Sequence, residues 1–323
     1  MSGMREKAGA TLLLVFCCSL LVIAGEKSGP FFSLEEVLSI GNLEDNILFQ
    51  WIGIAVDGDG NIYVTDGMDY SVKKFGSHGE LIRKSGQRGE GPGEFLAPRL
   101  LGCSEKRVFV TDQSILGIHV YDRNLRYLDR IPFRYPVGDL KAFPDSRVAV
   151  AAYTLLQPGK IIVYSEKGNV LKEYLYSDKR GPVMMDWVSF EIDSRGNLYI
   201  AYNFQDLLEK FDAEGNKIWS KSLLGIKSVK RQQVGPWEVP QSLVYKDLAL
   251  DSSDRVYILG GGYSENPSRD IYVLSPGGEH LATFALPEKS HCIHVDQWDC
   301  LYSRSNEGIT LKKFKIITRN TVN

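Results

Sequence analysis

A stretch reading GIAVDGDGNIYVTD (residues 53–66) returns in looser form five more times, 40 to 58 residues apart. Each copy is a turn followed by a short apolar strand: Ile62-Tyr63-Val64, Val108-Phe109-Val110, Val148-Ala149-Val150, Leu198-Tyr199-Ile200, Val256-Tyr257-Ile258 and Leu301-Tyr302-Ser303. Five residues before the first apolar position stands an acid in four copies, Asp57, Asp193, Asp251 and Asp296, with Cys103 and Phe143 in the other two. A repeat of this length cannot bury its own apolar faces and must stack against neighbours. Six copies predict an all-β, six-bladed β-propeller of four-stranded antiparallel blades.

Within the first repeat, strands are expected at 54–56, 61–65, 71–75 and 80–84, separated by Asp-Gly and His-Gly turns suited to antiparallel hairpins. The sixth repeat has too few residues after Phe314 for a fourth strand, while residues 32–41 (FSLEEVLSIG) precede the first repeat with no sheet of their own. An open last blade would leave a pairing edge. The N-terminal strand is therefore expected to pair with residues 311–316 and close the ring.

The 31 glycines suit many tight turns, and one domain over residues 30–318 accommodates the whole repeat array. Arg5 and Lys7 precede an apolar run over residues 10–25, too short for a membrane span and followed by polar Glu26-Lys27-Ser28. Residues 1–24 read as a cleaved secretory signal peptide, which places the mature chain outside the cytoplasm, periplasmic or secreted, with no membrane span. Cleavage would remove Arg5, Lys7 and Glu6, leaving 36 basic and 39 acidic side chains and a charge of −3. A balanced surface of this kind argues against nucleic acid as partner. Cys103, Cys292 and Cys300 remain, too few for a disulfide framework; with Val295 opposite Cys300, Cys292 would face Ser303, so the two are not expected to pair.

The first copy, together with the adjoining SVKKFGSHGELIRKSGQRGEGPGEF (residues 71–95), resembles the NHL repeat, and the chain is similar to secreted bacterial six-bladed propellers built from such repeats. The resemblance is tight in the first and fourth copies and loose in the second, third and sixth. It implies a fold and a binding role. It also implies a layout in which the first strand of each blade lines the axial channel and begins at the ligand-binding face.

On that layout Gly53, Arg99, Asp139, Ser189, Asp247 and Cys292 share one level of the channel. Two residues nearer the mouth lie Trp51, Ala97, Val137, Trp187, Tyr245 and Ser290. Arg99, Asp139 and Asp247 under the aromatic walls of Trp187 and Tyr245 form the candidate ligand site, since small-molecule sites join apolar walls to a few convergent polar groups. An equally simple arrangement is Arg99 neutralising Asp139 or Asp247 in a hydrated channel.

The repeat acids lie on separate turns of the opposite face and are expected to cap those turns. His78, His119 and His280 fall in outer strands or turns, and His291 and His294, three apart on a strand, are expected to face opposite sides, so no His-rich metal centre is predicted. No Ser–His–acid set emerges, and no catalytic residue is assigned. The chain is thus expected to be a monomeric binding module for a protein, peptide or glycan, without a cofactor. The alternative is a divalent-metal-dependent hydrolase or lactonase of the gluconolactonase kind, with Ca²⁺ held by Asp139, Asp247 and Asn203 and a Glu-Gly-Pro motif at Glu90-Gly91-Pro92. Two insertions, residues 221–231 and 260–270, are expected at the channel mouth.

Overall fold

A computed structural model describes residues 31–45, 47–133, 135–153, 159–176 and 184–319; the expected signal segment, residues 1–24, lies outside them. The chain opens with β1 (Phe31–Ile40). Four complete blades come next: β2 (Trp51–Val56), β3 (Ile62–Asp66), β4 (Ser71–Phe75) and β5 (Leu81–Ser85); β6 (Pro98–Cys103), β7 (Arg107–Asp112), β8 (Gly117–Asp122) and β9 (Tyr127–Pro132); β10 (Val137–Ala142), β11 (Val148–Ala152), β12 (Lys160–Tyr164) and β13 (Val170–Leu175); and β14 (Val188–Ile192), β15 (Leu198–Tyr202), β16 (Leu208–Phe211) and β17 (Lys217–Lys221). A separate hairpin, β18 (Arg231–Val234) with β19 (Trp237–Pro240), precedes the fifth blade, β20 (Tyr245–Leu250), β21 (Val256–Gly260), β22 (Asp270–Leu274) and β23 (His280–Ala285). The sixth holds β24 (Ile293–Val295), β25 (Cys300–Ser305) and β26 (Thr310–Arg319), and takes β1 as its outer strand.

That closure follows the expected pairing, with Leu34 opposite Ile316 and Ile40 opposite Leu311. Phe32 and Ile40 then serve two different interfaces. Phe32 packs with Tyr257, Leu259 and Ile293 between blades five and six, and Ile40 packs with Leu48, Ile62, Val64 and Tyr302 between blades six and one. The apolar core consists of six clusters, one between each pair of adjacent blades. This is why the middle strands β3, β11, β15 and β21 are buried along their length while β5 is exposed over nearly all of its own.

The repeat acids tie each turn to its blade. Asp57 Oδ1 accepts from the amides of Asp59 and Asn61, both at 2.9 Å, and Oδ2 accepts from the Tyr63 hydroxyl at 3.0 Å and Arg123 Nη2 at 2.6 Å. Gly60, at φ +82°, completes the turn in the left-handed region that a Cβ disfavours. Asp193, Asp251 and Asp296 repeat the pattern with Tyr199, Tyr257 and Tyr302. Strand-ending acids hold the links between blades: Asp66 accepts from the amides of Phe49 and Gln50, and Asp112 from those of Leu96 and Ala97.

In blade six Ile293 pairs with Ser303 and Val295 with Leu301, one residue away from the register expected from the sequence. Among the described residues, Cys103, Cys292 and Cys300 form no disulfide with one another. Burial raises Cys292 to about 12, with Asp247 adding to the shift, so it stays an uncharged, poorly nucleophilic thiol.

Candidate functional site

The inner strands β2, β6, β10, β14, β20 and β24 all contribute to one cavity of about 370 Å³ on the propeller axis. Regular alternation would give every inner strand the same pattern of channel-facing residues, but four of the six carry a β-bulge near the mouth. Arg99 and Leu100 together oppose one residue of β7, because Pro98 pairs with Asp112 and Leu101 with Val110. The extra residue also appears between Trp51 and Ile54, between Val137 and Asp139, and between Tyr245 and Asp247. A bulge re-aims the side chains around it.

Blade four has no bulge there, and Trp187 lines the cavity in phase with Ser189, two residues on. Blade five has one, and Tyr245 does not line the cavity. It is fully buried in the core between blades four and five, where its hydroxyl donates to Asp206. The channel position expected for Tyr245 is occupied by Lys246, the extra residue of the bulge. Arg99, Asp139 and Asp247 line the cavity, as does Val137, whereas Ala97 does not and Ser290 is buried. The Trp51 side chain lies outside the described residues.

The aromatic wall is built around a glycine. A Cβ on Gly138 would fall 1.7 Å from Tyr153, so only glycine lets that ring lie against β10. There it stacks on Trp187 with centroids 5.1 Å apart and planes at 17°, and Phe204 is tilted at 51° to the indole with centroids 6.0 Å apart. The Tyr153 hydroxyl donates to the Val188 carbonyl and accepts from the Val188 amide, each at 2.8 Å, which fixes the ring.

The channel carboxylates are committed to the fold. Asp139 accepts from the amides of Leu140 (2.8 Å) and Phe190 (2.9 Å), stitching blade three to blade four. Asp247 accepts from those of Leu248 and Ile293, both at 2.9 Å, stitching blade five to blade six. Lys141 Nζ lies 2.7 Å from Glu191 and 3.8 Å from Asp139. Burial alone would lower Lys141, but Asp139, Glu191 and Asp247 together push it above its usual value and keep it charged. Burial raises all three acids; Asp247, repelled also by Asp139 and Glu191, reaches about 7.

Elsewhere on the cavity wall the sign reverses. Arg99, Lys246, His291 and Arg304 line the cavity, and burial pulls each below its ordinary pKa. Lys246 donates to the Ser290 carbonyl at 3.1 Å and lies 3.4 Å from His291 Nδ1. Arg99 stands out. Tyr153 and Asp139 offset part of the burial effect on its guanidinium, yet it makes no hydrogen bond or ion pair among the described residues.

His291 and His294 both line the cavity rather than facing opposite sides, because His291 precedes β24 and is not bound by its alternation. Burial and Lys141 lower His294 to about 4. The proposed calcium ligands do not fit a cation: Asp139 and Asp247 face the Lys141 ammonium, and Asn203 Nδ2 donates to Ser189 Oγ and the Tyr245 carbonyl. Among the described residues no three His, Cys, Asp or Glu side chains are arranged to hold a metal. Glu90 is exposed in the link between blades and is not part of the cavity lining.

The insertions meet one another. The hairpin β18–β19 rises just before Leu243, which lines the mouth, and the Lys230 amide donates at 2.7 Å to the hydroxyl of Tyr263 in the second insertion. Counting by twos from Asp139 reaches Lys141, but nothing in the sequence pattern singles out Lys246, His291 and Arg304 as channel residues; for the hairpin, the Gly235-Pro236 pair is the available signal.

No family model matches the chain, and no curated protein matches it in sequence. Similar solved structures include a member of the DUF4221 family from Bacteroides vulgatus, with TM-score 0.62 and 13% identity over 91% of this chain and 100% of the other. A protein of unknown function from Bacteroides thetaiotaomicron gives 0.61 and 12% over 89% and 76%. Virginiamycin B lyase from Staphylococcus aureus gives 0.56 and 13% over 89% and 100%. At such identities the likeness is one of fold: the chain is a six-bladed β-propeller distantly similar in structure to lyases and to proteins of unknown function alike.

Proposed function

We propose that this chain is an exported, NHL-type binding propeller that takes a small anionic ligand in its channel mouth, between Arg99 and the Tyr153–Trp187 stack. The observation that carries the reading is Arg99, a part-buried guanidinium lining the cavity without a hydrogen bond or ion pair among the described residues. A buried charge needs a counter-charge or water, and a guanidinium presents a planar fork suited to carboxylate or phosphate. Lys246 and Arg304 on the opposite wall add positive potential, and Trp187, 37% exposed, offers aromatic surface to the ligand. The channel carboxylates are held by amides and Lys141, so they serve the fold rather than compete for the ligand.

The test is titration with benzoate and with inorganic phosphate at low salt, read by calorimetry and intrinsic fluorescence. Saturable binding that weakens about tenfold or more in Arg99→Ala, the scale of a charge-assisted hydrogen bond, supports the reading. A fluorescence change that disappears in Trp187→Phe places the ligand at the stack. Absence of binding by both anions, or binding indifferent to Arg99→Ala, overturns it.

A further inference from the structure

Beside the axial cavity, between blades two and three, lies a second cavity of about 220 Å³. The two share Gln113, Pro136 and Val137 as lining, so the smaller opens along the wall of the larger. Its own walls are Leu116, Gly117, Phe133 and Tyr135 over Thr111 and Asp112.

The polar groups at the base of this side cavity, Thr111 and Asp112, are already occupied. Asp112 Oδ2 accepts from the Leu96 and Ala97 amides at 2.7 and 3.1 Å, and Oδ1 from the Ser114 and Ile115 amides at 2.8 and 3.1 Å. Thr111 Oγ1 accepts from the Leu100 amide at 2.9 Å. What remains to meet a guest is mainly apolar surface, Leu116, the edge-to-face pair Phe133–Tyr135 at 6.1 Å, Pro136 and Val137, with the Gln113 amide at the wall shared with the axial cavity and the Tyr135 hydroxyl as its polar groups. Leu116 is 43% exposed although it borders the cavity, and it holds φ +48°, a left-handed conformation that is rare for leucine. Its carbonyl accepts from the Phe133 amide at 3.1 Å, which fixes the turn as one wall.

The position of the side cavity relative to Arg99 gives it meaning. Pro98, the residue before Arg99, pairs with Asp112, and Gln113 on the shared wall comes next in the chain. An anion held by Arg99 therefore sits at the entrance to the apolar cavity. We infer that the ligand is bipartite: an anionic head on Arg99 carrying an apolar arm, a short alkyl or phenyl chain, that passes Gln113 and Val137 into the cavity walled by Leu116, Phe133 and Tyr135. The inference rests on the anion site proposed above and specifies what that anion carries.

The experiment compares acetate with 4-phenylbutyrate, which share a carboxylate and differ in the arm, on the wild-type chain, on Leu116→Trp, which fills the side cavity from an exposed position, and on Leu116→Ala. Burying the arm is expected to tighten wild-type binding by about tenfold or more over acetate. That gain should collapse in Leu116→Trp and survive at least in part in Leu116→Ala, while acetate binds all three alike. An arm worth less than about twofold in the wild type, or a full gain in Leu116→Trp, overturns the bipartite ligand and leaves the anion site standing. Absence of binding by either probe, or acetate binding unchanged by Arg99→Ala, overturns the anion site and the bipartite ligand together.

Discussion

If β1 is an integral strand of the sixth blade, one side chain in it should carry stability for the whole ring. Phe32 is the sharpest probe. It is 5% exposed, stacks on Phe284 at 6.2 Å, meets Tyr257 edge-on at 6.5 Å and lies under the Arg255 guanidinium at 5.6 Å. Burial of such a side chain contributes about 1.5–3 kcal/mol, and its aromatic contacts add roughly 0.5–1.5 kcal/mol. With the cavity left behind, Phe32→Ala should cost about 4 kcal/mol, within the usual range for buried phenylalanine. Val37, in the same strand but 50% exposed, is the control, and Val37→Ala should cost less than about 0.5 kcal/mol. Urea unfolding measures both as shifts in midpoint at constant slope. A Phe32→Ala loss below about 1 kcal/mol, or equal to that of Val37→Ala, would show that β1 only leans on a ring closed without it.

His119 is buried against Phe95 at 4.8 Å, has neither ring nitrogen hydrogen-bonded among the described residues, and is lowered by burial to about 4. Its folded pKa lies below its unfolded one, so it lowers stability as pH falls from about 6.5 to 4; His119→Phe should stabilise the chain by about 1 kcal/mol at pH 7 and by more at pH 5, and equal stability at both pH values refutes this. Asp247 has the opposite sign: its folded pKa is raised from 3.8 to about 7, so it withdraws up to roughly 4 kcal/mol as pH rises through that window, and Asp247→Asn should flatten this part of the stability profile. An unchanged slope between pH 4 and 7 would count against it. Asp206 accepts from the amides of Leu223, Leu224 and Ile226 and from the Ser222 and Tyr245 hydroxyls. Asp206→Ala should cost about 3 kcal/mol and expose residues 222–240 to limited proteolysis, whereas an unchanged digestion pattern would mean the insertion is held elsewhere.

How much of this was legible in the sequence turns on one kind of irregularity. The repeat marks all six blades, and the missing strand of the last one picks out β1 as its partner, while the register that sets Leu34 opposite Ile316 is seen only in the structure. Blade four, whose inner strand keeps strict alternation, puts Trp187 in the channel where counting by twos places it. Blade five does not, because the extra residue between Tyr245 and Asp247 turns the tyrosine into the core and Lys246 toward the axis. A bulge leaves no mark in a hydrophobic pattern, since Tyr-Lys-Asp reads equally well in either phase. Arg304 was hidden for a different reason: β24 is only three residues long, so a residue near the end of β25 reaches the mouth from the second strand. The cysteine register slipped by one because the sequence does not say which turn residue is the last to pair.

Arg99, Asp139 and Asp247 share one channel level, yet the structure divides them by what each already holds. Asp139 and Asp247 accept amides from the neighbouring blade and so belong to the ring itself, while the Arg99 guanidinium holds no hydrogen bond among the described residues. A residue that serves the fold and one that serves a ligand should respond oppositely to truncation. Asp139→Ala leaves the Phe190 and Leu140 amides without their acceptor and should cost about 3 kcal/mol. Arg99→Ala removes a part-buried charge with no partner of its own and should leave stability within about 1 kcal/mol of wild type, or raise it, while abolishing anion binding. Thermal melts of both variants, with and without phosphate, separate the two roles. Phosphate should raise the melting temperature of the wild type by mass action and leave Arg99→Ala where it was. If instead Arg99→Ala destabilises the chain as much as Asp139→Ala does, the guanidinium is one more stitch in the ring, and the channel would be a hydrated ion-pair network with no ligand of its own.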